Sequence, residues 1–264
     1  MIVPSSPLAS VLPAVRCLAG GMSCLLAIAA PTLAQTLQPN MTDADNSVLI
    51  SSRAYSPPPG AQGSGGGAST GGGVRGCGAE MLALAPAFNS SGQTFSERPT
   101  FVWYLGEMPT NRLNFTLFHQ GEAGETAVFS QELTATTGYQ AFTLPTEAAP
   151  LQLGETYRWA TTLYCEETAD NAIRWIEAAI TVVEPPASLP LLDTVAPMPW
   201  QKGLRFARAG YWYDALAQVY AGETADERAL RQALLLDLAD LAATADTDMS
   251  NRWSDRLRTV VETP

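Results

Sequence analysis

The sequence predicts a mainly β fold with a helical carboxyl-terminal appendage, and three observations carry that expectation. In Leu151-Gln152-Leu153-Gly154-Glu155-Thr156-Tyr157-Arg158-Trp159, a Leu is followed after three residues by Gly and after three more by Tyr. That is the spacing of a tyrosine corner, whose ring packs inward while its hydroxyl reaches back to the turn before its strand. Seven strand-like runs lie between residues 79 and 184, at 81–88, 100–105, 113–119, 127–133, 139–144, 157–165 and 173–183. Most alternate in polarity and are bounded by Gly, Pro, Asn or Ser, and no helical run interrupts them. An antiparallel β-sandwich of the immunoglobulin or fibronectin-III kind is expected rather than βαβ units. The period then changes after Pro185-Pro186. Leu204, Ala207, Leu216, Val219, Leu230, Leu234, Leu238 and Leu241 recur at helical spacing, broken at Gly210, at Gly222 and at Asp246-Thr247-Asp248, which reads as three or four short helices.

Taken in order, residues 1–34 read as a secretory signal, 35–78 as a disordered Pro/Gly-rich tether, 79–186 as the β-sandwich and 187–264 as the helical region. Arg16 precedes an uncharged stretch over 17–30, and Pro31-Thr32-Leu33-Ala34 supplies a small-residue cleavage site, the pattern of export to the periplasm or beyond. A membrane anchor is the competing reading, but the apolar run is shorter than the roughly 20 residues a span needs, and Gly and Pro interrupt it. Lipid attachment at Cys24 fits less well, because Gly21-Met22-Ser23 lacks the usual aliphatic residue before the cysteine.

Signal cleavage would leave Cys77 and Cys165 of the four cysteines, and a pair in an oxidising compartment is expected to form a disulfide. Closing so long a loop is worth about 4 to 5 kcal/mol on chain-entropy reasoning. A redox or metal role is the alternative, but there is no CxxC, and His119 is the only histidine; no metal or cofactor is expected. The tether holds Pro57-Pro58-Pro59, Gly65-Gly66-Gly67 and Gly71-Gly72-Gly73, too little apolar surface to offset its ordering entropy. A phosphate-binding glycine loop is the sharper reading, but no Lys-Ser/Thr follows Gly73. Asp43-x-Asp45-Asn46 is too short for a calcium loop.

Within the β region, period two places Tyr157, Trp159, Leu163 and Cys165 on one face of their strand and Arg158, Ala160, Thr162 and Tyr164 on the other. Leu113, Phe115 and Leu117 likewise share a face, opposite Asn114, Thr116 and Phe118. Ile176, Ala178, Ile180 and Val182 form the buried side of the last strand, so Trp175 points outward, as Tyr104 does opposite Trp103. In the helical region, residues 206–216, with Gly210-Tyr211-Trp212-Tyr213-Asp214-Ala215-Leu216, resemble the helix-turn-helix of a tetratricopeptide repeat, with Gly where the helices approach. One unit is no solenoid, so these helices are expected to pack on the sandwich or cap a partner's repeats.

Arg75-Gly76-Cys77, Ser96-Glu97-Arg98-Pro99-Thr100-Phe101, Trp103-Tyr104, Leu153-Gly154, Tyr157-Arg158-Trp159, Leu163-Tyr164-Cys165 and the 210–216 motif stand together over residues 75–245. As a set they resemble a cyanobacterial family catalogued as domain of unknown function 928. The resemblance implies an exported β-domain followed by helices, and it carries no catalytic residue over. This chain departs from the family in its glycine-rich tether and its short, Asp-punctuated carboxyl end.

The formal charge is −11 with a pI near 4.5, and no Lys/Arg run occurs. That removes the electrostatic term on which nucleic-acid and anionic-membrane binding rest, and nucleic acid is not expected as a partner. Catalysis by a Ser-His-Asp or Cys-His arrangement would have to use His119, which sits before the turn-like Gln120-Gly121-Glu122 and reads as a solvated or capped side chain. Paired carboxylates from Glu97, Glu107, Glu166, Glu167, Asp170 and Glu177 could serve a hydrolase, but spacing selects no two of them. The expected function is an exported, non-enzymatic binding or adaptor module that recognises an envelope protein through Tyr211, Trp212, Tyr213 and Asp214. The alternative is polysaccharide binding through Tyr104 and Trp175, since sugar rings stack on exposed aromatic faces. The plainer role of these rings, with Trp200, is to cover the sandwich against the helices.

Overall fold

The computed structural model describes residues 53–58, 80–88, 91–107, 112–122, 124–164, 173–187, 189 and 196–262. Residues 1–34, expected to be a signal segment, both Cys77 and Cys165, and the carboxylates Glu166, Glu167 and Asp170 lie outside them. The described chain is mostly β, with eight strands followed by four helices. The strands are β1 Met81–Ala83, β2 Gly92–Thr94, β3 Thr100–Leu105, β4 Arg112–Gly121, β5 Gly124–Thr134, β6 Gly138–Thr143, β7 Thr156–Tyr164 and β8 Ile173–Val182. The helices are α1 Pro199–Arg208, α2 Trp212–Ala217, α3 Ala225–Ala243 and α4 Asp248–Val261. Two sheets form, one of three strands ordered β1-β3-β6 and one of five ordered β2-β8-β7-β4-β5.

The alternation read from the sequence decides which faces meet. Leu113, Phe115 and Leu117 of β4, Trp159 and Leu163 of β7, and Ile176, Ala178, Ile180 and Val182 of β8 are all buried. They oppose Phe101 and Trp103 of β3 and Phe142 of β6, with Phe101 4.9 Å from Phe115 and 5.7 Å from Trp159, and Phe115 4.6 Å from Phe142. Ring pairs at such offset and tilted geometries add to the area they bury. The corner forms as its spacing predicts: Gly154 turns with φ +82°, and the Tyr157 hydroxyl accepts the Gln152 N–H at 3.0 Å.

Two strand expectations change. The run 81–88 pairs only over Met81–Ala83, and Gly92–Thr94, absent from the expected set, adds to the edge of the large sheet in parallel with β8. Gly-Gln-Thr carries no apolar alternation for a period to reveal. Parallel pairing also departs from the all-antiparallel expectation.

The outer face of the small sheet is not solvated. Tyr104 and Tyr139 are cross-strand partners, and the Tyr139 hydroxyl donates to the carbonyl of Val260 in α4 at 3.1 Å. The Arg231 guanidinium of α3 lies 3.9 Å from the centre of the Tyr139 ring, a cation–π contact. The helices thus close that sheet, and β1, in which all three residues are buried, is covered on both sides. Helix breaks fall where expected: Gly210 (φ +91°), Gly222 (φ +62°) and Asp246 (φ +48°) adopt left-handed backbone, which ends a right-handed helix. The α1–α2 approach, however, is made at Gly203, where an added Cβ would sit 3.1 Å from the Ala215 carbonyl oxygen.

Six residues of the expected tether are held in place. Ala54 and Tyr55 are buried, and Ser56 N–H donates to the Ala207 carbonyl at 3.2 Å. The tether expectation is corrected for residues 53–58: composition summed over the whole segment averaged away one small and one aromatic residue that find a partner surface.

Candidate functional site

The residues after β2 make a fixed turn because each hydroxyl caps the backbone just beyond it. Ser96 N–H donates to Thr94 Oγ1 at 3.0 Å and Arg98 N–H to Ser96 Oγ at 3.1 Å, as Ser/Thr turns do. The Arg98 guanidinium then ties the turn to the β6–β7 connection through the carbonyls of Pro145, Thr146 and Ala148. Facing this turn are α1 and α2, held by the 210–216 motif. Between them opens a cleft of about 570 Å³, lined by Phe95, Ser96, Thr100, Lys202, Asp214 and Gln218 among others.

Asp214 stands at its inner wall, 8 % exposed. Its Oδ2 accepts the Phe95 N–H at 3.1 Å. Burial pushes its carboxyl up to about 7, and hydrogen bonds from the Thr94 side chain and the Phe95 N–H pull the other way. Desolvation disfavours the charged form, and these donors recover only part of that. Phe95 also meets Phe206 at 5.1 Å and Tyr211 at 5.2 Å, both edge-on. The cleft therefore combines an aromatic wall with the cations Arg98 and Lys202, hydroxyls, an amide and a carboxyl whose pKa burial raises, a set suited to holding a segment with both apolar and polar groups.

Of the residues singled out for recognition, Asp214 and Tyr213 line this cleft, and the others go elsewhere. Trp212 is fully buried, with Nε1–H donating to the Leu84 carbonyl at 2.9 Å. Tyr213 runs between the sheets: its hydroxyl accepts Trp159 Nε1–H at 2.8 Å and donates to the Ala179 carbonyl at 2.9 Å. Burial raises its pKa. Both rings are core side chains, the packing role the sequence offered for Trp212 beside the recognition role. Helical period tells which side a residue is on and not which neighbour it meets. Tyr211 is half-buried at the rim of that cluster, its hydroxyl 3.4 Å from the Glu184 carbonyl. Tyr104 is 8 % exposed and meets Tyr139 edge-on at 5.4 Å, so it offers no open ring face for a sugar. Trp175 is half-buried on the outer face of the large sheet, away from Tyr104.

The acid–base candidates do not converge. Glu97 and Glu107 are exposed at opposite ends of β3, and Glu177 is held by Arg158 at 2.7 Å. Arg158 also binds Glu125 and stacks over Phe118. On β4, His119 Nε2 lies 2.8 Å from Oε2 of Glu155, the residue before β7. Among the described residues no group of three His, Cys, Asp or Glu is placed to hold a metal ion, and no helix is long and apolar enough to cross a membrane. Sequence reasoning missed Phe95, Lys202 and Gln218. Only the Ser96-Glu97-Arg98-Pro99-Thr100-Phe101 motif of the family resemblance pointed to their neighbourhood.

A two-sheet β protein closed by its own carboxyl-terminal helices, with a cleft where helix pair and strand turn meet, is the class these features define. The chain belongs to the family described as Domain of Unknown Function (DUF928), whose profile matches residues 65–259. No curated protein and no solved structure matches it. The family match runs beyond the resembling stretch 75–245 at both ends and takes in most of α4.

Proposed function

We infer that this is an exported, non-enzymatic binding or adaptor module, and that it holds a segment of an envelope protein in the cleft between the Ser96–Arg98 turn and helices α1 and α2. The observation that carries the reading is the convergence of two sequence motifs on one cleft. Ser96-Glu97-Arg98-Pro99-Thr100 builds one wall, and Asp214 of the 210–216 motif, in the other, accepts a hydrogen bond from the adjoining Phe95. The recognition surface in this reading is the cleft, to which Asp214 and Tyr213 of the 210–216 motif contribute. Binding is favoured over turnover because Asp214 is committed to the Phe95 amide and His119 to Glu155. A general acid–base pair needs both partners at one reacting atom. The facing sheets and the Tyr157 corner support an immunoglobulin-like or fibronectin-III-like sandwich, and the Gly203 approach of α1 to α2 supports a tetratricopeptide-like unit. The polysaccharide reading now rests on Trp175 alone.

Ala217 lines the cleft, so Ala217→Trp fills it from a half-buried helical position. Affinity capture from envelope extract with the full chain is expected to retain a protein partner that the Ala217→Trp chain, of equal melting temperature, loses. Glycan retained equally by both would overturn the cleft reading in favour of the sheet face. Export and a Cys77–Cys165 disulfide belong to the same proposal. Denaturing alkylation of the envelope-purified protein is expected to find no free thiol, and two would remove the bridge.

A further inference from the structure

Residues 53–58 meet the helices as a peptide ligand meets its receptor. Asp237 Oδ2, on α3, accepts the backbone N–H of Ala54 at 2.6 Å and of Tyr55 at 2.8 Å. The next N–H, of Ser56, goes to the Ala207 carbonyl at the end of α1 at 3.2 Å. Pro57 and Pro58 bring no donor, so all the N–H groups from Ala54 to Pro58 are satisfied by the helices. One side chain supplies the anchor: the Tyr55 ring is 1 % exposed and stands edge-on to Trp212 at 4.8 Å. Pro58 lies so close to Gly210 that an added Cβ there would come within 3.0 Å of it. Glycine is thus required at 210 twice, for its φ of +91° and for this approach. Backbone hydrogen bonds for affinity and one aromatic pocket for selectivity are how folded domains read extended peptides.

We propose that the surface made by Asp237, Ala207, Gly210 and Trp212 is a peptide-docking site for the extended sequence Ala-Tyr-Ser-Pro-Pro, with residues 54–58 as its resident occupant, exchangeable for the same sequence presented in trans. The site is distinct from the cleft and does not rest on the function proposed for it. Twenty-one residues, 59–79, rich in Gly, separate the occupant from Glu80. Occupant and site belong to one covalent chain, so a peptide in trans competes with the chain's own copy until that connection is cut. The Tyr55 hydroxyl has no hydrogen-bond partner in its buried position, so the site reads a ring at this place rather than a phenol.

The test keeps the full chain and inserts a specific protease site after Gly66. After cleavage, the amino-terminal piece is expected to co-elute with the folded body. Excess synthetic peptide Arg-Ala-Tyr-Ser-Pro-Pro should displace it, the Tyr→Phe version should displace it at least as well, and the Tyr→Ala version should not. Asp237→Ala, which leaves α3 a good helix, is expected to weaken retention at least about tenfold, because it removes the acceptor of both the Ala54 and the Tyr55 N–H. A dimer of the uncut chain that disappears with Asp237→Ala would show the same site filled by a second copy. Loss of the piece immediately on cleavage, displacement by the Tyr→Ala peptide, or a piece that no excess of peptide removes would each overturn the proposal.

Discussion

Two tyrosine hydroxyls differ in what their removal leaves behind. Tyr213→Phe strands the Trp159 indole N–H and takes a donor from the Ala179 carbonyl, in a core closed to water. An orphaned buried polar group costs about 1 to 3 kcal/mol, so a loss of about 2 to 4 kcal/mol is expected. Tyr157→Phe frees the N–H of exposed Gln152, which water can satisfy, and about 1 kcal/mol or less is expected. Urea midpoints at unchanged slope measure both, and equal losses would mean that Tyr213 is not sealed from solvent. Asp214 makes stability depend on pH. Its folded carboxyl titrates at about 7, above the ordinary carboxylate range. Below about pH 4 both states hold the proton and its contribution is complete. Between about 4 and 7 only the folded state holds it, so stability falls as pH rises, by up to about 1.4 kcal/mol per pH unit. Above that range the contribution is gone. Asp214→Asn can still accept the Phe95 N–H, and the expected outcome is a smaller drop in unfolding free energy from pH 5 to pH 8 than in wild type.

At the scale of elements, α3 is fixed at its start by a reciprocal pair: Glu227 N–H donates to Thr224 Oγ1 and Thr224 N–H to the Glu227 carboxylate, both at 3.2 Å. Thr224→Ala is expected to cost about 1 kcal/mol in thermal or urea unfolding, because this helix carries Arg231 over Tyr139 and Asp237 under residues 53–58. No change would mean that the first turn is held by packing alone. Here much was legible. The helix stops at Gly210, Gly222 and Asp246 could be read because a left-handed backbone residue announces itself by type. The Tyr157 corner and the buried rows of β4, β7 and β8 could be read because period two is strict over long strands. β2 was not, since three residues of Gly-Gln-Thr carry no period. Its position comes instead from long-range bonds, Val183 N–H to the Thr94 carbonyl and Phe95 N–H to Asp214, that only the folded chain brings together.

For the whole molecule, how far the sheets depend on the helices was the least legible feature. Composition and period change sharply after Pro185-Pro186, yet a change of period marks a change of element and not the end of a core. Trp212 and Tyr213 come from the helical side of that boundary, and both complete the β core, the one bonded to Leu84 and the other to Trp159 and Ala179. Tyr104, Val102 and Leu82 are buried on a sheet whose cover comes from the helices. Burying two such rings removes about 300 to 500 Å² from water, worth about 10 kcal/mol at 25 cal/mol per Å², as much as the net stability of a typical domain. A chain ending at Pro197 is therefore expected to lack a cooperative melting transition and a near-ultraviolet dichroism signal, and to self-associate through the uncovered face of β1, β3 and β6. The full chain should melt in one step. A monomeric Pro197-terminated chain that melts cooperatively would show that the sheets stand without Trp212 and Tyr213, and would return the helices to the status of an appendage.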